Sequence, residues 1–581
     1  MVSAMQNLDS LKHLVDMAAG REPADLLIRN ANVVNVFTGD IMHVPVAVGD
    51  GKFLGFSEIP ARRTLDAHGR YLLPGLIDAH IHIESSMASP TRFAELVLPC
   101  GTTTVIADPH EVANVHGLDG IRYMLENGRG LPLNIFIALP SCVPATPYED
   151  AGAVLGADDL QELIDDPQVS GIGEMMNFPG IMAGIPEVLA KVLLGRQHGK
   201  CVDGHAPGLL GQGLDTYLVS GVSNTHECTT LEEMEANLAR GCYVLIREGS
   251  AAKNLRTLLP GVTDGNARRC AFCCDDIHPE DIARTGHMDH HLRLAVELGM
   301  DPIRAITLAT LNAAECFGLN NKGAVAPGRD ADFILVDDLQ DFRVREVYTA
   351  GNKVAEDGKL CVALAEGKYT LPAGSVHIGP VTEASFALPV PGGKARIIRM
   401  QAHSLLSLQE IRNVHTDENG LFQCALNPDL TRAAVIERHK ATGKIGLGLL
   451  AGYGLHGGAV ATTIAHDSHN IVAAGDDVTA MCRVVDAIAG MGGGIAMLAG
   501  GTLYALPLPV AGLLTPEPPL QVAAQLGEMI RVAHDVLGIA EGIEPFMSLS
   551  FMALPVIPEL KLTTRGLFDV NAFDFVDLAV E

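Results

Sequence analysis

Tryptophan is absent from this 581-residue chain, and Phe, Tyr and Trp together make up 4%. That argues against aromatic stacking platforms for single-stranded nucleic acid. Positive charge is also scarce. Lys and Arg number 41 against 69 Asp and Glu, a formal net charge of −28. No dense Lys/Arg run exists to overcome that field, so no nucleic-acid partner is expected. No run of about 18 apolar residues occurs, and no membrane span is expected. The N-terminus lacks a basic flank followed by an apolar core, so a secretory leader is not expected. The 12 cysteines form no disulfide framework, and several sit inside apolar runs. This is the usage of a reduced, cytoplasmic protein. Cys270-x-x-Cys273 has no partner pair and reads as part of a buried strand.

What is present is a soluble α/β composition, 48% hydrophobic with 61 Gly, in a chain long enough for two to four domains. Short β-type runs at 26–28, 33–36 and 44–48 find counterparts at 331–336, 344–347 and 351–354. One small β-domain built from 1–71 and 321–385 is therefore expected, flanking an inserted region. That region, 72–320, alternates strand-like and helix-like stretches. The strand ending in His80, with runs at 102–107, 134–138, 171–174, 202–205, 222–226, 243–246 and 271–275, makes eight. Eight is the count of a (β/α)8 TIM-type barrel, whose chemistry belongs at the C-terminal strand ends. Residues 386–581 change texture and read as an additional C-terminal α/β domain. There the run Gly492-Gly493-Gly494 reads as a turn or packing site, lacking the context of a phosphate cradle.

The most informative stretch is Pro74-Gly-Leu-Ile-Asp-Ala-His80-Ile-His82. Residues i and i+2 of a strand share a face, so both imidazoles emerge together and can hold one divalent metal. A lone His-x-His is often a surface strand, but this pair follows a buried-looking run and precedes Glu84. Glu174, His205, His226 and Asp275 end later runs in the same way. With His80 and His82 they could hold two divalent ions, Glu174 bridging. Two close cations lower the pKa of a shared water. Asp275 could bind metal, take that water's proton and return it to a leaving group. The segment Ala465-His466-Asp467-Ser468-His469-Asn470 is either a solvent turn or a loop reaching the barrel mouth. Three titratable groups in four positions favour the loop.

These residues resemble the amidohydrolase superfamily and, within it, the bacterial adenine deaminase family. The closer resemblance rests on His82-Ile-Glu-Ser-Ser86, Ala107-Asp-Pro-His-Glu-Val-Ala-Asn114, Gly173-Glu-Met-Met-Asn177, Asp275-Asp276, Ala465 to Asn470, Leu506 to Gly512 and Pro555 to Lys561. It covers nearly the whole chain. It implies hydrolytic deamination of adenine to hypoxanthine and ammonia, a purine-salvage reaction. Manganese or iron(II) is expected in the site, with zinc as the alternative. Asp276 would then hydrogen-bond a ring N–H, and His466, Asp467 and His469 would contact the purine base. Family members of this build commonly self-associate, so a homodimer is expected. Deaminases of adenosine carry a Glu three residues after the fifth-strand His, but here that position is Gly208. The proton donor to N1 must lie elsewhere, with Glu111 and Glu227 as candidates. The runner-up reading is another amidohydrolase acting on a cyclic amide or N-acyl bond. Such enzymes often bridge their metals with a carboxylated lysine, and no Lys ends a strand here. A third reading is a non-catalytic metal-binding homologue, which the intact ligand set disfavours.

Overall fold

Long apolar runs buried on both faces are what a parallel sheet under a helical layer requires. The computed structural model, which describes residues 8–250, 252–372, 374–404 and 406–580, forms them at the expected places. The strands are β1 (Leu76–Ile81), β2 (Thr102–Ala107), β3 (Asn134–Leu139), β4 (Val169–Met175), β5 (Cys201–Gly204), β6 (Asn224–Thr225), β7 (Tyr243–Arg247) and β8 (Cys270–Cys273). Every residue of β1, β2, β4 and β8 is buried. Strands β1 to β5 pair in parallel in sequence order, and β6 to β8 form a second parallel set. The sets meet at both seams. Asp275 N–H donates to His80 O (2.9 Å), His82 N–H to Asp275 O (3.3 Å) and Ser223 N–H to Val202 O (3.1 Å). The sheet thus closes into a barrel.

The polar ends of the expected runs lie just beyond the regular strands. His205, His226 and Asp275 follow β5, β6 and β8 by one or two residues. Asp275 adopts φ 64°, a left-handed conformation that a non-Gly residue holds only when its surroundings impose it. Here the two backbone hydrogen bonds to β1 do so.

A seven-stranded sheet unites Asn32–Asn35, Asp40–Met42 and Tyr71–Pro74 with Phe333–Val336, Val344–Thr349, Asn352–Glu356 and Lys359–Leu360. Its strand Tyr71–Pro74 passes straight into β1 through Gly75. A Cβ at Gly75 would stand 2.1 Å from Thr103 Oγ1, so only glycine lets the flanking sheet sit this close to the barrel.

The C-terminal region is built on eight strands, ordered Ser407–Asn413, Lys394–Met400, Ile445–Ala451, Leu430–Ile436, Ile471–Gly475, Gly458–Thr462, Gly494–Ala499 and Thr502–Pro507. Neighbours run antiparallel except Lys394–Met400 beside Ile445–Ala451. The helix Val478–Met491 is capped by Asp477, whose side chain accepts from Thr479 N–H at 2.7 Å, and ends at left-handed Gly492. Its buried face (Met481, Val484, Val485, Ile488) packs on small strand residues, Ala459, Ala461, Ala473 and Ala496. The turn between Gly458–Thr462 and Ile471–Gly475 carries residues 463–470, all buried, over the mouth of the barrel. Among the described residues no helix is long and apolar enough to cross a membrane.

Candidate metal centre and substrate pocket

All six expected metal ligands converge at the C-terminal ends of the barrel strands. His80 lies in β1 and His82 just past it, on one face. His80 Nδ1–H donates to Asp203 Oδ2 (2.7 Å) and His82 Nδ1–H to the Asp108 carbonyl (2.9 Å). With both Nδ1 atoms occupied as donors, the neutral rings turn Nε2 lone pairs toward each other, the nitrogens 3.2 Å apart; with no ion between them, Asp203 raises His80 to about 9 against the opposing effect of burial. Two facing lone pairs call for a cation between them, and anchoring the far nitrogen is the usual way a ligand imidazole is oriented.

Glu174 lies in the middle. Its Oε1 is 3.2 Å from His82 Nε2, and its Oε2 is 3.2 Å from His226 Nε2 and 2.5 Å from His205 Nδ1. Asp275 Oδ1 approaches His82 Nε2 (3.1 Å) and His80 Nε2 (3.6 Å). Neither ring nitrogen of His226 has a hydrogen-bond partner among the described residues, although the ring is buried. The triads His80–His82–Asp275 and His80–Glu174–His226 each bring three potential ligand atoms within 4.8 Å of one another. The donor set fits a divalent transition metal. Burial pushes the Asp275 carboxyl up, but the Arg247 guanidinium, 2.7 Å from Oδ2, together with His82 and His226 outweighs it and holds the group well below the usual range. Burial likewise pushes Glu174 up, and His205 outweighs it. Both carboxylates are anionic, as ligands must be.

Glu227 does not point away from the site. Its Oε1 lies 3.5 Å from His226 Nε2 and 3.7 Å from His205 Nδ1, and it pairs with Arg247. Despite burial, Arg247 holds its carboxyl below the ordinary value.

A second cluster adjoins the first. Glu111 occupies the first turn of the helix His110–His116, beneath the loop from the C-terminal sheet. His466 Nδ1 lies 3.1 Å and His469 Nε2 3.9 Å from its carboxylate. Asp467 Oδ1 lies 3.7 Å from His110 Nε2, and the His466 ring stacks on Phe551 at 4.2 Å. The expected loop over the barrel mouth is therefore present. Here the wiring is reversed. His469 Nδ1 accepts from Ala465 N–H (3.2 Å), so Nε2 carries the hydrogen toward Glu111. Burial pushes the Glu111 carboxyl up, but the His466 imidazolium outweighs it and holds the carboxyl far below its ordinary range. In return, Glu111 raises His466 to about 9 against the opposing effect of burial. Glu111 and Glu227, the two carboxyls considered as proton donors, are both held ionised, whereas His466 and neighbouring His110 are both shifted toward the protonated form.

Asp276 accepts from Ser85 Oγ at 2.5 Å. Burial and the neighbouring Asp275 raise its pKa. Beside it lies a small cavity of about 10 Å³ whose lining includes Ser85, His278, His466, Ile464, Phe546 and Ser550. Barrel and C-terminal region thus line it together.

Sequence reasoning gave no role to Asp203, Asp108, His110 or Arg247. For Asp203 the signal was present: it precedes His205 by two, as Asp78 precedes His80, and so shares its strand face. Arg247 ends β7 and is buried, which only an ion partner explains.

A barrel with imidazoles and carboxylates gathered at its C-terminal strand ends is the build of a metal-dependent hydrolase, and residues 71–354 match the model of the amidohydrolase family. Residues 406–574 match that of the adenine deaminase C-terminal domain. The chain is 57% identical to an adenine deaminase of Nitratidesulfovibrio vulgaris over 98% of its own length and 99% of that protein. It is 47% identical to one of Desulfatibacillum aliphaticivorans, over 97% and 99% of the respective chains. For one of Clostridium acetobutylicum the identity is 43%, over 97% and 100%. The chain belongs to the adenine deaminase family of amidohydrolases.

Proposed function

We propose that this enzyme hydrolyses adenine to hypoxanthine and ammonia with His80, His82, Glu174, His205, His226 and Asp275 holding two divalent ions, manganese or iron(II) before zinc. The observation that carries the reading is the pair of Nε2 lone pairs 3.2 Å apart, closed in by Glu174 and Asp275. Such a pair of ions acidifies water and so supplies a nucleophile near neutral pH.

The protein's own groups then manage the protons. Asp275, with one oxygen toward the histidines and the other fixed by Arg247, accepts the proton of the attacking water and returns it to the departing amine. The water oxygen ends on C6, and the product carries a proton on N1. His466, kept protonated by Glu111, gives its proton to N1 and is restored by the second proton of the water, released as the C6 carbonyl forms. Asp276, oriented by Ser85, accepts from a ring N–H. Asp467 and His469 hold the base from the C-terminal side.

Phe546 and Met547 of the C-terminal region line the pocket together with Ser85 and His278 of the barrel, and this cover supports free adenine over adenosine. The alternative of a cyclic amide is not favoured, because the central carboxylate is Glu174 itself. We assign residues 1–71 with 321–385, 72–320 and 386–581 as the three units, the cytoplasm as the compartment and a homodimer as the assembly. The test is to load the protein with Mn²⁺ and follow the ultraviolet spectrum of adenine. Conversion to hypoxanthine is expected, with adenosine unchanged; equal turnover of adenosine refutes the closed pocket.

A further inference from the structure

The C-terminal region reaches the barrel through a second set of contacts, away from the metal ligands and centred on Asp150. This residue lies in the loop after β3. Its carboxylate accepts from Thr564 Oγ1 (2.6 Å), Lys444 Nζ (3.0 and 3.1 Å), Arg565 Nη2 (3.0 Å) and Arg565 Nε (3.3 Å). All of these donors come from beyond residue 440. Arg565 also donates to the carbonyls of Pro147 (3.3 Å) and Glu149 (3.2 Å), so the loop is gripped along its backbone as well.

The same loop touches the segment that carries the pocket histidines. The carbonyl of Asp150 accepts from Asn470 Nδ2 (2.8 Å). From the other side buried Arg438 donates to the carbonyls of His469, Ser375 (2.8 Å) and Ala511 (3.0 Å). Residues 465–470 are therefore held between Arg438, which belongs to their own domain, and Asp150, which belongs to the barrel. The barrel-side hold at Asn470 lies four residues from His466, which itself meets Glu111 of the barrel.

We propose that Asp150 is a positioning residue for the deamination: by latching the loop after β3 to Lys444, Thr564 and Arg565, it keeps residues 465–470 closed over the pocket. The proposal rests on the adenine deaminase reading given above. An isolated surface pair would contribute little. This node differs in having three donor residues on one carboxylate whose side chain is 19% exposed. Breaking it lowers the share of molecules whose pocket is closed before adenine arrives. Apparent affinity falls by that share, while the chemical step in the closed state is untouched. KM should rise and kcat should hold. A residue needed only for folding would do the reverse, lowering kcat with the folded fraction and leaving KM alone.

The experiment uses the full-length, Mn²⁺-loaded enzyme and the variants Asp150→Ala and Asp150→Asn. We expect Asp150→Ala to raise KM for adenine about tenfold with kcat within about threefold. Asp150→Asn, which keeps the size and the Thr564 bond, should give a smaller rise and serves if the alanine variant does not fold. Lys444 and Arg565 are reached by solvent, so taking salt from roughly 50 to roughly 500 mM should move the wild-type KM toward that of the variant and leave the variant flat. Amide exchange in residues 465–470 should quicken in either variant, a readout that needs no activity. An unchanged KM in a folded variant, or a kcat loss at constant KM, overturns the latch. So does unchanged exchange in residues 465–470. Wild-type protein that leaves adenine intact instead defeats the functional reading, and the exchange measurement still decides the latch.

Discussion

The candidate metal cluster and the Glu111–His466–His469 cluster are built from the same side chains and lie side by side, yet His80 and His82 are wired in the opposite sense to His469. In the first, His80 and His82 each donate from Nδ1, to Asp203 and to the Asp108 carbonyl, which turns lone pairs inward. In the second, the Ala465 N–H fills the Nδ1 lone pair of His469, which turns N–H inward toward Glu111. On the function proposed above, the first arrangement would hold a cation, and the second would place an N–H against a carboxylate. Residue type alone does not separate a metal site from a proton relay. The hydrogen bond on the far side of each ring does.

Substitutions can break that comparison. The largest effect is expected from Asp275→Asn, which keeps one ligand oxygen and loses the proton acceptor. Its rate should fall by roughly two to four orders of magnitude at verified full metal loading. A rate within a few-fold of wild type would place the proton shuttle elsewhere. Next comes His466→Gln, for which we expect unchanged metal content and a loss of roughly two orders in rate. Metal loss in that variant would mean that the second cluster is part of the first. Asp203→Asn takes away the acceptor that orients His80, and metal affinity should fall roughly 10- to 100-fold, measured by competition with a chelator. Full affinity would deny Asp203 its orienting role.

The smallest effect concerns stability. Burial and the nearby Asp467 push Glu149 up to about 8, above its unfolded value. The proton's contribution is complete below the unfolded pKa and disappears as pH rises through about 8, because the unfolded chain releases the proton earlier. Glu149→Gln lacks this term. Its Tm should therefore improve relative to wild type between about pH 5 and about pH 8, and a pH-independent difference would show that Glu149 is ionised in the fold.

The barrel was more legible than the region that closes it. His80, His82, Glu174, His205, His226 and Asp275 end apolar runs, and a parallel barrel converts that one-dimensional pattern into convergence. Strands Ser407–Asn413 and Thr502–Pro507 were not anticipated. Both lie at sheet edges, where exposed polar positions blur the alternation. Nothing local in the sequence announces the positive φ of Asp275, which backbone hydrogen bonds from β1 impose. The ionised state of Glu111 was equally hidden, since it depends on His466, 355 positions away in the chain. The contact of Asp150 with Thr564 spans 414 positions.

The account turns on which cluster binds metal, and metal content of matched variants measures it directly. Glu174→Gln and Glu111→Gln each remove one carboxylate charge from one cluster, with little change in volume. After identical Mn²⁺ loading, wild type and Glu111→Gln should both carry about two ions per chain, with Glu111→Gln slow on adenine. Glu174→Gln should lose at least one. Two ions retained in Glu174→Gln, or an ion lost from Glu111→Gln, would contradict the assignment of the two clusters.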